Sequence, residues 1–112
     1  MPTIDLSGGL VVVSGGAGSI GRAIAIQAAQ AGACVAVCDT DIREADTVAA
    51  QIEDDGAVAK SFEMDVTDRA MVAAVMNSAV KELGPLRGLV TAAGVLLSLI
   101  HISEPTRLRT IA

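Results

Sequence analysis

The densest chemistry in this 112-residue chain lies in Ser14-Gly15-Gly16-Ala17-Gly18-Ser19-Ile20-Gly21, between a β-branched run and an alanine-rich stretch. Glycines here permit a tight turn and let an anion approach the backbone closely. A helix starting just after them offers free N–H groups and the positive end of its dipole. Eighteen residues past Gly21, an apolar run ends in a carboxylate, Asp39. An anion cradle followed at that distance by an acid is the arrangement that holds a dinucleotide, with pyrophosphate on the amides and ribose hydroxyls on the acid. In this reading Gly15, Gly18 and Gly21 form the cradle, and Ser19 and Ile20 donate N–H groups. Asp39 accepts the adenosine ribose hydroxyls. A carboxylate there also repels a 2′-phosphate, and Thr40 and Asp41 follow it instead of an arginine, so NAD is expected over NADP. The plainer alternatives are a strand-to-helix turn with no ligand and a solvated acid at a strand end.

These residues need elements to position them. Leu10-Val11-Val12-Val13 reads as a buried strand, Ile20 to Ala31 as a helix ending near Gly32, and Val35 to Asp39 as a second strand. Asp41 with Glu44 is a capping-box start for a second helix, whose stripe Ala45, Val48, Ala49 and Ile52 ends at Gly56. A third strand is expected over 58–64. The third helix has Thr67 or Asp65 as candidate N-cap and Met71, Val72, Val75, Met76, Ala79 and Val80 as its apolar face, and Gly84-Pro85 stops it. Asn77 falls on its surface. Leu86 to Thr91 is a fourth strand, closing on Ala92-Ala93-Gly94. Alternation of this kind gives an α/β fold, a Rossmann-type doubly wound parallel sheet in the order 3-2-1-4.

Composition bounds the rest. Hydrophobic residues make up 52%, with one Phe and no Trp or Tyr, so small aliphatic side chains must do the packing. A net charge of −5 without a basic patch speaks against nucleic acid and anionic membranes. No apolar run reaches the ~18 residues of a membrane span, and Met1-Pro2-Thr3-Ile4-Asp5 does not read as a signal peptide. A cytoplasmic protein is the expectation. Cys34 and Cys38 lie on one strand, roughly 13 Å apart, too far for a disulfide. They read as reduced thiols, and no metal site is expected.

With these residues in place, the chain resembles the classical branch of the short-chain dehydrogenase/reductase family from residue 5 to about 96. Ser14-Gly15-x-x-x-Ser19-Ile20-Gly21 stands at its Thr-Gly-x-x-x-Gly-Ile-Gly loop, Asp65-Val66-Thr67-Asp68 at its Asp-Val-Thr-Asp motif, and Leu89-Val90-Thr91-Ala92-Ala93-Gly94 at its Leu-Val-Asn-Asn-Ala-Gly strand end. Ser19 departs from the middle glycine, and Thr91 and Ala92 from both asparagines. The spacing Gly15, Gly18, Gly21 also matches the extended branch, which includes NAD-dependent epimerases and dehydratases.

The resemblance implies that Asp65 holds the adenine amino group and the Val66 backbone the ring edge. It also implies that Ala92, Ala93 and Gly94 line the cofactor floor. Capping by Asp65, and small residues packed under a helix, remain the alternatives. The parent protein would interconvert a secondary alcohol and a ketone with NAD(H), as a homotetramer or homodimer. A non-catalytic NAD-binding relative is the other class to weigh.

The family's catalytic Ser and Tyr-x-x-x-Lys are not matched, since the sequence has no tyrosine and its lysines are Lys60 and Lys81. No catalytic residue is therefore assigned. Leu97 to Arg107 reads as the translation of a common transposase-end sequencing adapter. Residues 1–96 are accordingly expected to be the cofactor-binding part, and residues 97–112 a foreign tail with no domain and no role for His101, Glu104 or Arg107. The sheet would then stop after its fourth strand, leaving that strand a hydrophobic edge prone to aggregation.

Overall fold

The computed structural model describes residues 6–91 and the strand Ser98–His101. Its elements are β1 (Leu10–Ser14), α1 (Ser19–Gln30), β2 (Cys34–Asp39), α2 (Ile42–Asp54), β3 (Ala59–Glu63), α3 (Arg69–Leu83), β4 (Leu86–Thr91) and β5 (Ser98–His101). The strands form one sheet in the order β3-β2-β1-β4-β5. The first four are parallel, in the expected order 3-2-1-4.

Period-two alternation distributes each strand over two cores. Val11, Val13, Val35 and Val37 face α1 and α2, where they meet Ala25, Ala28, Ala45, Val48, Ala49 and Ile52. Leu10, Val12, Ala36 and Cys38 face α3 and meet Val75 and Ala79. Both faces of β1 and β2 are covered, which is why these strands are continuous apolar runs. Alanine and valine at the helix contacts let the helix axes lie close to the sheet without aromatic residues.

The α2 stripe is buried as its periodicity predicts, and Asp41 caps it by accepting the Glu44 N–H at 3.3 Å. Three expectations differ. The N-cap of α3 is Asp68, which accepts from Met71 N at 3.1 Å, not Thr67 or Asp65. Asp65 is drawn away by Thr67, as described below. Val80, assigned to the apolar face of α3, is 39% exposed. The stripe that reaches the sheet runs through Val75 and Ala79, and Val80 is rotated about 100° past Ala79. Finally, β4 is not an open edge. Antiparallel β5 pairs with it from Gly88↔His101 to Thr91↔Ser98. The bare N–H and C=O groups of β4 are a template that an adjacent extended segment can satisfy. This strand lies within residues 97–112.

Candidate dinucleotide-binding site

The carboxyl ends of β1, β2 and β3 open into a cleft of about 290 Å³, lined by Ser14, Gly15, Gly18, Asp39, Thr40, Met64, Asp65 and Val66. It lies where the chain reverses direction across the sheet, between β1's neighbours β2 and β4. A larger cleft of about 370 Å³ lies at the opposite rim, around Gly32, Cys34 and Asp55–Val58. There α1 and α2 end, presenting the negative poles of their dipoles, which disfavours an anion.

The loop after β1 is shaped by two glycines. Gly15 has φ 72°, a conformation side chains rarely adopt. Gly21, in the first turn of α1, packs so tightly on the Gly15 carbonyl that no Cβ fits. Gly18 is different: its backbone is extended, and an added Cβ would sit at an ordinary 3.6 Å from Gly15 O. Steric need thus falls on Gly15 and Gly21.

The amides divide into two groups. Gly16 N–H donates to Cys38 O (3.0 Å), Gly18 N–H to Gly15 O (3.2 Å), and Ala17 N–H to Asp39 Oδ2 (3.1 Å). The helix N-cap, Gly18, has no side chain to cap with, and the N–H groups of Ser19, Ile20 and Gly21 find no acceptor among the described residues. A helix start with three such donors favours an anion. Ile20 is 53% exposed beside them.

Asp39 stands at the end of β2, half-buried, with Oδ1 accepting from Asp41 N at 3.0 Å. Asp65 is exposed. Its Oδ1 accepts both Thr67 Oγ1 (2.6 Å) and Thr67 N (2.9 Å). Those bonds, the hydroxyl first, hold its carboxyl below the usual value, so it is charged at neutral pH. Oδ2 has no donor among the described residues. Val66 is 50% exposed at the cleft mouth, an apolar surface where an aromatic base could lie. Ala92, Ala93 and Gly94 fall outside the described residues.

Sequence reasoning passed over Ser14. It is 2% exposed, it lines the cleft, and its Oγ finds no hydrogen-bond partner among the described residues. A buried orphan hydroxyl at a cleft is a place for a ligand's polar atom. The only available signal was its position, a polar residue ending an apolar strand.

The residues present fit a dinucleotide: donors for a diphosphate, a carboxylate for a diol, an apolar shelf, and a cradle that a Cβ would fill. The family model for short chain dehydrogenases matches residues 9–110. The chain belongs to the short-chain dehydrogenase family. The chain is 43% identical over 86 residues to 2-(S)-hydroxypropyl-CoM dehydrogenase 3 of Xanthobacter autotrophicus, covering 77% of this chain and 34% of that protein. Its fold is similar to a hydroxysteroid dehydrogenase from Escherichia coli, with TM-score 0.78 and 32% identity, over 83% of this chain and 40% of the other. It is also similar to a D-mannonate oxidoreductase from Haemophilus influenza, solved with bound NAD, with TM-score 0.72 and 27% identity, over 76% and 30% of the two chains. The chain thus spans about a third of the length of that curated relative.

Proposed function

We propose that this chain is the NAD-binding part of a classical short-chain dehydrogenase that interconverts a secondary alcohol and a ketone. The observation that carries the reading is the Asp39 carboxylate, set beside the glycine loop at the end of β2 and followed by Thr40 and Asp41. In the bound state the Ser19, Ile20 and Gly21 amides would hold the pyrophosphate, with Gly15 and Gly18 in the same cradle. Asp39 takes the ribose diol, and Asp65 with Val66 takes the adenine. Ala92, Ala93 and Gly94 complete the floor. The cofactor supplies hydride exchange at its nicotinamide. A 2′-phosphate would meet the charge of Asp39, and Thr40 and Asp41 follow that residue where an arginine could offset it. Steric need at Gly15 and Gly21, with slack at Gly18, supports the classical spacing over the extended one.

The hydroxyl-bearing compounds in the relatives' names support an alcohol as substrate. The 112 residues contain no tyrosine to move the hydroxyl proton, so no turnover is expected from this chain alone. Residues 97–112 are proposed to be foreign, and resequencing the gene across codon 97 checks this. A homodimeric or homotetrameric, cytoplasmic parent completes the reading.

Calorimetric titration tests cofactor choice. NAD is expected to bind at least about tenfold tighter than NADP, the scale of one lost charge-assisted contact. Equal or tighter NADP binding would overturn the role of Asp39.

A further inference from the structure

Asp39 is engaged with protein on both oxygens before any ligand arrives. Oδ2 accepts from Ala17 N–H at 3.1 Å, inside the glycine loop. Oδ1 accepts from Asp41 N–H at 3.0 Å, at the N-cap of α2. The Asp41 N–H is the donor that a complete capping box would give to the Glu44 side chain. Next to the carboxylate, Gly16 N–H donates to Cys38 O at 3.0 Å. The loop also lies hard against β2: a Cβ on Gly16 would come within 2.8 Å of Val37 Cγ1. Residues 16 and 17 are thus laid along the end of β2 by one main-chain bond and one charge-assisted bond. Ser19, whose amide faces the anion position, follows two residues later.

We propose that Asp39 is a positioning residue for the phosphate loop, in addition to the ribose acceptor assigned above, and this inference rests on that assignment. A carboxylate has about four acceptor positions. Two are spent on Ala17 and Asp41, and two remain for the ribose hydroxyls. Both roles therefore operate together, and loss of Asp39 is felt by a diphosphate even when the nucleotide has no ribose hydroxyls.

The test uses the 112-residue chain with ADP and 2′,3′-dideoxy-ADP, each titrated into the wild type, Asp39→Ala and Asp39→Asn. If Asp39 only binds ribose, Asp39→Ala weakens ADP and leaves dideoxy-ADP unchanged. If it also sets the loop, dideoxy-ADP weakens by about tenfold, the scale of a charge-assisted hydrogen bond. Asp39→Asn keeps an acceptor for Ala17 N–H and is expected to restore most of that affinity. Amide exchange gives a readout that needs no variant to fold. In the ligand-free wild type, the Ala17 amide is expected to exchange about tenfold or more slowly than those of Ser19 and Ile20. Equal exchange rates, or dideoxy-ADP binding indifferent to Asp39→Ala, would remove the positioning role and leave the dinucleotide reading standing. A wild type that binds neither nucleotide would overturn both.

Discussion

A methyl group on residue 21 has no room. The Gly15 carbonyl and the Gly16 Cα, which an added Cβ would approach to 2.8 Å, are backbone that cannot swing aside. Gly21→Ala is expected to cost about 1–3 kcal/mol of stability, the range for overpacking, and to lose NAD binding because the cradle must spread. Gly18→Ala should leave binding within about threefold of wild type, since its Cβ meets only an ordinary contact. Paired titrations of the two variants check this.

The two thiols differ as sharply. Burial, with a smaller push from the Asp39 charge, raises the Cys38 thiol from 9.0 to about 12. The protonated form is favoured in the folded chain, so this contribution to stability is complete below pH 9 and is lost as pH rises from 9 toward 12. Its slope there is at most about 1.4 kcal/mol per pH unit. Denaturant unfolding between pH 8 and 11 should show the decline, and Cys38→Ala should make it shallower. At pH 8 a thiol reagent is expected to modify half-buried Cys34 and spare Cys38.

Among the elements, α3 offers the clearest choice between two acids. Asp68 receives the Met71 N–H, while Asp65 is occupied with Thr67. Asp68→Ala should destabilise the chain by about 1 kcal/mol, and Asp65→Ala by less, with its effect falling on adenine-nucleotide affinity instead. Urea unfolding and ADP titration of both variants separate the roles. A larger stability loss from Asp65→Ala would return the cap to that residue. The same competition explains the half-formed box at α2, where Asp41 caps Glu44 but gives its own N–H to Asp39.

For the whole molecule, the sheet edge matters most. Four parallel strands bury two apolar layers, and β5 covers the side of β4 that would otherwise present unpaired groups along Gly88–Thr91. A proline within β5 removes an N–H and disrupts the pairing. Ile100→Pro is therefore expected to increase self-association, seen as a concentration-dependent rise in light scattering, with little change in nucleotide affinity. Unchanged scattering would mean that β5 does not protect the edge. Among the described residues no helix is long and apolar enough to cross a membrane.

Much of this was legible in the chain itself. Alternating strand and helix periods, punctuated by Gly32, Gly56 and Gly84, dictate a parallel sheet, because a right-handed crossover leaves few other ways to bury runs such as Leu10–Val13. The order of glycines and acid placed Gly15, Gly21 and Asp39 at one rim, since they follow consecutive parallel strands and so share their carboxyl ends. Competition among near neighbours was not legible. Asp65, Thr67 and Asp68 are all acceptable caps by type, and only the path of the backbone after β3 decides which one meets a free N–H. The same holds for Ser14, polar in any sequence but orphaned only once both faces of β1 are covered, and for β5, whose pairing depends on an edge that exists only after the sheet has formed. Local chemistry is written residue by residue, whereas the allocation of each hydrogen bond depends on which groups the fold brings within about 3 Å of one another.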